Sequence, residues 1–204
     1  MIVIVKCGMG NVGSVQNMFQ KIGVEVLVSN NEHDIDRASK LILPGVGAFD
    51  AGISALEQSG LIPAISRAAL QERKPVLGIC LGMQLLMEHS EEGSRSGLGW
   101  VRGKVVRFPS QVGGKSVKIP HMGWNRVQWR SGFPLANGAS QSERYYFVHS
   151  FHVVCQRAED IAGTTQYAGE FTAAVACGNI FGVQFHPEKS HVYGMRLLRN
   201  FASI

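Results

Sequence analysis

The chain has 204 residues, 45% hydrophobic and 17% charged, with a net charge of +5, a balance that suits a single α/β domain over residues 1–204 with a sizeable core. Its four cysteines, at 7, 80, 155 and 177, form no close pair and no CxxC, which argues against a disulfide framework or a zinc site and predicts a reducing, cytoplasmic setting. No apolar run approaches the roughly 18 residues that span a membrane, and MIVIVKCGMG is too short in its apolar part for a secretion signal.

Ile2–Val5 reads as a first strand, and Ser14 is placed to cap a helix carrying Val15, Met18, Phe19 and Ile22 on one face. Between them, Gly8-Met9-Gly10-Asn11-Val12-Gly13 matches G-x-G-x-x-G in the context of a dinucleotide loop. The second strand, Val24–Val28, ends in Ser29-Asn30-Asn31 without the acidic residue a ribose calls for; Glu32 and Asp34 come later. A glycine-rich turn near the end of a sheet is therefore the first reading, and a dinucleotide-binding module the second. Lys40–Leu43 is a third strand, followed by Pro44-Gly45-Val46-Gly47-Ala48-Phe49. Taken alone this is a tight βα turn; beside a nucleophile, its backbone amides are natural oxyanion donors. Helices near 50–58 and 61–72 follow.

The fourth strand, Val76–Ile79, hands over to a helix beginning at Gln84-Leu85-Leu86-Met87. Cys80 sits at that turn as Gly78-Ile79-Cys80-Leu81-Gly82, the G-x-S-x-G elbow with sulfur in place of oxygen. Small flanking residues let the backbone turn sharply, and the helix N-terminus favours the thiolate. A free cysteine can instead be a small buried hydrophobe, so the catalytic reading needs a base.

After Gly99 the pattern changes to short strands separated by turn residues: KVVRF, KSVKI, RVQW, YYFVHSFHVV, AGTTQY, FTAAVACG and IFGVQF. Between Gly93 and Ser142 there are eight Lys or Arg and no Asp or Glu, which fits an acidic or phosphorylated partner and a solvated β-ribbon equally. No nucleic-acid motif accompanies the stretch. His149 and His152, three apart in one strand, should face opposite sides and give no metal site. In Val183-Gln184-Phe185-His186-Pro187-Glu188-Lys189-Ser190, His186 is the candidate base at a strand end. Glu188, two residues on, can return to the same face of an extended segment and orient the imidazole, with Pro187 stiffening the link. A closing helix starts near His191, with Met195, Leu198 and Phe201 at helical spacing.

PGVGAF, GICLGMQLL, SEEG with GLGW, PHMGWN, YFVHSFH and GVQFHPEKS together resemble the class I (triad-type) glutamine amidotransferases, over essentially the whole chain. PHMGWN and Lys189 are most similar to the glutaminase subunits of imidazole glycerol phosphate synthase. The resemblance implies a flavodoxin-like α/β domain, a mostly parallel sheet flanked by helices, with an extra antiparallel region in the second half. It makes Cys80 the nucleophile, His186 the general base and acid, and Glu188 its orienter, with no cofactor. Gln84, Glu92 and the backbones of Ser150 and Phe151 would hold L-glutamine. The amides of Leu81 and of the loop Gly45, Val46, Gly47 would form the oxyanion hole. Asn11, Pro120, Met122, Trp124, Tyr146 and Lys189 would face a (βα)8-barrel synthase subunit in a heterodimer that receives the ammonia. Lys6-Cys7 stands where the family usually has Asp-Tyr, and Phe151 where tyrosine is common. The first departure bears on the partner, and a paralogous subunit supplying ammonia to amidinate a bacterial surface sugar is the alternative. A cysteine peptidase or glutamyl hydrolase of this broad fold would keep Cys80 and His186 but has no need of PHMGWN.

Overall fold

The computed structural model describes residues 1–204. Its first part alternates β1 (Ile2–Val5), α1 (Val12–Lys21), β2 (Val26–Ser29), α2 (Glu32–Arg37), β3 (Lys40–Gly45), α3 (Phe49–Ser59), α4 (Ile62–Ser66), β4 (Val76–Cys80) and α5 (Leu81–Leu85). The remainder is extended: β5 (His89–Ser90), β6 (Gly103–Arg107), β7 (Gln111–Val112), β8 (Lys115–Ser116), β9 (His121–Arg126) and β10 (Gln128–Trp129). Then come β11 (Arg144–His149), β12 (Phe151–Cys155), β13 (Ile161–Gln166), β14 (Glu170–Cys177) and β15 (Ile180–Val183), before α6 (His191–Ser203).

Strands β2-β1-β3-β4-β15 lie side by side and parallel. Parallel neighbours need long crossovers, and the helices between them supply those. From β15 the sheet continues through β14, β12 and β6 in antiparallel pairs, with β13 and β10 branching from β14. Side chains alternate across the parallel strands. Val3, Val5, Leu41 and Leu43 pack with residues of α3, α4 and α5, whereas Ile2, Ile4 and Ile42 pack with residues of α1 and α6. Both faces are thus covered, as a parallel sheet requires. No helix is long and apolar enough to cross a membrane.

Local departures from the sequence reading have identifiable causes. Asn11, not Ser14, caps α1: the Ser14 amide donates to Asn11 Oδ1 at 3.1 Å, which places Ser14 inside the first turn. The helix expected over 61–72 is α4 running into a π-helical turn at Arg67–Gln71. KSVKI contributes only the two residues of β8 to a hairpin with β7. YYFVHSFHVV is not one strand. It breaks at Ser150, so that β11 pairs with β9 in a separate two-stranded ribbon while β12 pairs with β6 in the main sheet. The break cancels the opposite-face argument for His149 and His152. Their rings lie 5.3 and 4.6 Å from the same Phe108 ring. All eight basic residues between Gly93 and Ser142 are exposed, as on a solvated face.

Candidate active site

β4 carries Cys80 to the C-terminal edge of the sheet, between β3 and β15. Its backbone has φ +54° and ψ −109°, a conformation costing about 1–3 kcal/mol for a residue with a side chain. The neighbouring glycines permit it. A Cβ on Gly78 would lie 2.7 Å from the Gly82 carbonyl oxygen, and one on Gly82 would lie 1.8 Å from that of Leu43. Helix α5 begins at the next residue, Leu81, so the Leu81 amide is among the donors without an intrahelical partner. Burial raises the pKa of the other three thiols, Cys7, Cys177 and Cys155, the last to about 12, so their thiolates are disfavoured.

His186 follows β15, and its Nδ1 donates to Glu188 Oε1 at 2.8 Å. The segment is not extended as expected: Pro187–Lys189 forms a 3₁₀ turn, and that curl brings the carboxylate back to the ring. Ser190, fully buried, fastens the turn. Its hydroxyl donates to the His186 carbonyl at 2.7 Å and accepts the Tyr146 amide at 3.0 Å. The His186 amide in turn donates to the Tyr146 carbonyl at 2.9 Å. Burial works against a charged imidazole at His186, but hydrogen bonds and charge from Cys80 and Glu188 outweigh it and push the pKa up to about 9. Glu188 Oε2 is buried without a hydrogen-bond partner, so the carboxylate has the His186 ring as its compensation. A cysteine on a strained elbow facing an imidazole so backed can deliver a thiolate and move a proton.

Cys80 and His186 open onto a cavity of about 400 Å³. Gln84, Glu92, Ser150 and Phe151 line it, as do Leu81, Val46 and Gly47. The Val46 and Gly47 amides make no hydrogen bond within the chain. Gly45 does not belong to this wall. It pairs in register with Cys80, and the space its Cβ would take is filled by Leu81 Cβ and the Gly82 nitrogen, both at 2.9 Å. Glu92 Oε2 accepts the Phe49 amide at 2.9 Å, replacing the side-chain cap that Ala48 cannot give α3. Gln84 spends its Nε2 on the Phe151 carbonyl (3.1 Å) and on Gln184 Oε1 (3.0 Å). Sequence reasoning missed Gln184, Ser190 and His149. The signals for the first two are the polar residue embedded in VQF and the serine closing HPEKS; for His149, which also lines the cavity, the sequence offers only its spacing from His152.

The ribbon of β9 and β11 has two unlike faces. Tyr145, Phe147 and His121 are buried, while Met122 (58% exposed) and Trp124 (43%) look outward across from Val148 and Tyr146. Trp124 stacks on His191 at 5.3 Å and meets Tyr146 edge-on, and Lys189 Nζ lies 5.7 Å from the Tyr146 ring. Met122, Trp124, Tyr146 and Lys189 thus share one surface, which reaches the cavity through Lys189. Pro120 is half-buried just before β9, and Asn11 is exposed at the start of α1. Lys6 is exposed and Cys7 buried at the end of β1. In the first loop, a Cβ on Gly13 would meet nothing nearer than Asn11 Oδ1 at 4.0 Å. The close helix–strand packing that gives the third glycine its place in a dinucleotide loop is therefore absent.

The model of the class-I glutamine amidotransferase family matches residues 3–204. The chain is 49% identical over 201 residues to imidazole glycerol phosphate synthase subunit HisH 2 of Methanococcus maripaludis, covering 98% of each chain. It is 47% identical over 204 residues to the subunit of the same name from Pseudomonas aeruginosa, covering 100% of each. Among solved structures it resembles PurLQS from Thermotoga maritima (TM-score 0.74, 18% identity, 99% of this chain and 97% of that one). It also resembles the glutaminase domain of Trypanosoma brucei CTPS (TM-score 0.68, 17% identity, 99% and 93%). At such identities the structures speak for the fold, while the whole-length family match speaks for kinship. The chain belongs to the class-I glutamine amidotransferases.

Proposed function

We propose that this chain is the glutaminase subunit of imidazole glycerol phosphate synthase in histidine biosynthesis, working in the cytoplasm. The observation that carries the chemistry is the His186–Glu188 pair at 2.8 Å, with its raised imidazole pKa, beside a cysteine held at φ +54°. The Cys80 thiolate attacks the carboxamide carbon of glutamine, and the developing oxyanion meets the amides of Leu81 and of the Val46–Gly47 loop. His186 hands its proton to the departing nitrogen, which leaves as ammonia. Water, deprotonated by His186, then hydrolyses the glutamyl thioester to glutamate and returns the sulfur. Glu188 holds the ring in the tautomer that presents Nε2 to the reacting atoms. Gln84, Glu92 and the Ser150–Phe151 backbone hold the substrate amino acid.

The face bearing Met122, Trp124, Tyr146 and Lys189, with Asn11 and Pro120, is the docking surface for a (βα)8-barrel synthase subunit that takes up the ammonia. The names of the 49% and 47% identical relatives support this acceptor over a surface-sugar amidination pathway. The test is ammonia release from glutamine by the chain alone, with the barrel subunit, and with barrel plus acceptor nucleotide. Production of imidazole glycerol phosphate from glutamine is expected only in the last. Glutamine hydrolysis without any stimulation by that barrel would remove the histidine-pathway assignment and leave the glutaminase.

A further inference from the structure

Gln184 is fully buried directly after the apolar strand β15, and a buried carboxamide needs partners at both ends. It has them. Oε1 lies 3.0 Å from Gln84 Nε2, and Nε2 lies 3.7 Å from Cys80 Sγ. Which end faces the sulfur follows from one backbone group. The Phe151 carbonyl can only accept, so the Gln84 atom 3.1 Å from it is the amide nitrogen. The same nitrogen meets Gln184, which therefore presents its oxygen there and its N–H donors to Cys80.

The same carbonyl polarises a second arm. His149 Nδ1 donates to it at 2.7 Å, so His149 Nε2 accepts from His121 Nδ1 at 3.0 Å, and His121 Nε2 accepts from Asn125 Nδ2 at 3.4 Å. Each of these bonds has one direction. Turning the Gln184 amide over would set oxygen against sulfur and nitrogen against nitrogen, leaving buried groups unpaired.

We propose that Gln184 is a further catalytic residue of this glutaminase, donating from Nε2 to the Cys80 sulfur and favouring thiolate over thiol. A hydrogen bond to an ionised acceptor is about twice as strong as one to a neutral acceptor, so the donor discriminates between the two forms. It acts twice: it stabilises the attacking thiolate, and it stabilises the same thiolate as it leaves the thioester. Gln84 is its positioning residue. The proposal rests on the reading of Cys80 as the glutaminase nucleophile.

The test is the pH profile of Cys80 alkylation by iodoacetamide, with the modified peptide identified by mass spectrometry, which requires neither glutamine nor a partner. The other titratable groups around the sulfur are His186 with Glu188 behind it, and His149, Glu92 and Lys189 on the cavity wall. All are retained in the variants. Gln184→Met, which keeps bulk and removes the donor, should raise the alkylation midpoint by about one pH unit or more. Gln184→Glu, which sets a carboxylate oxygen against the sulfur, should raise it further, and Gln84→Met should shift it in the same direction by less. In the complex with the barrel, kcat for glutamine should fall in Gln184→Met and further in Gln184→Glu, with KM little changed in both. Unshifted profiles in folded Gln184→Met and Gln84→Met overturn the proposal. A shift in the profile together with a wild-type complex that releases no ammonia from glutamine would instead overturn the glutaminase reading and leave the Gln184–Cys80 bond standing.

Discussion

Replacing His121 by asparagine should flatten the acid side of the stability curve. Burial holds the His121 pKa down, to about 4, and its ring is only 4% exposed between Phe147 and Tyr167. In the unfolded chain the same imidazole titrates near 6.5. Above about pH 6.5 neither state binds the proton and the residue is neutral in the balance; below it the unfolded state binds it and the native state refuses. Stability is therefore lost as the pH falls from the unfolded pKa toward the native one. At 2.303RT, or about 1.4 kcal/mol per pH unit per proton, the native state loses about 2 kcal/mol through His121 between about pH 8 and pH 5. Asparagine places an amide nitrogen where Nδ1 donates to His149 and does not titrate. The assay is urea unfolding followed by tryptophan fluorescence at both pH values. The wild type should lose about 2 kcal/mol more than His121→Asn over that interval, whatever the absolute stability of the variant. The His186 contribution is common to both proteins and cancels, and burial, the largest cause of the low His149 pKa, acts in both. Equal losses would show that the His121 ring is protonated in the folded chain and would refute the tautomer assignment of the whole arm.

Cys80→Ala should abolish glutamine-dependent synthesis by the complex while sparing synthesis driven by added ammonia, measured as imidazole glycerol phosphate formed; equal loss of both would count against Cys80 as nucleophile. Glu188→Gln should lower glutaminase kcat by less than His186→Ala does, because the carboxylate orients and stabilises a ring that itself moves the proton; wild-type turnover in Glu188→Gln would remove the triad. The isolated chain should hydrolyse glutamine poorly, since one missing oxyanion donor typically costs about 10²–10³ in rate and no hydrogen bond within the chain fixes the direction of the Val46 and Gly47 amides. Trp124→Ala should then weaken stimulation by the barrel more than it changes basal glutaminase, and full activity of the isolated chain would defeat this gating.

What could be read from the sequence was local. The Cys80 elbow is written in five consecutive residues, and its two glycines are needed for the reason the pattern suggests. The alternation of apolar and helical segments likewise places β1 to β4, whereas the short α2 carries too little periodicity to be read and α5 starts at Leu81, not at Gln84, because the helix begins directly at the elbow. His186 and Glu188 are legible by adjacency, yet the turn between them is not, since Tyr146, over 40 residues away, helps fix the curl through the Ser190 hydroxyl. Gln184 stayed hidden for the same reason: its partners Gln84 and Cys80 are 100 and 104 residues distant. The break at Ser150 could not be seen in a run of aromatic and β-branched residues. Only the competing pairings, β11 to β9 and β12 to β6, divide it. Asn11 and Ser14 are both good caps three residues apart, and the spacing alone did not choose between them.

Tyr146 stands at a crossing that bears on how such a subunit could be controlled from outside. Its half-buried ring borders the exposed surface, with Trp124 at its edge and Lys189 above it, while its own N–H and C=O bond to the His186–Ser190 turn. Side chain and peptide of one residue thus link the proposed docking surface to the segment that carries His186. A tilt of the ribbon too small to disturb the core would be felt at the imidazole as a change of aim. A compound wedged beneath the Trp124 ring is therefore expected to act on the proposed base without ever entering the cavity.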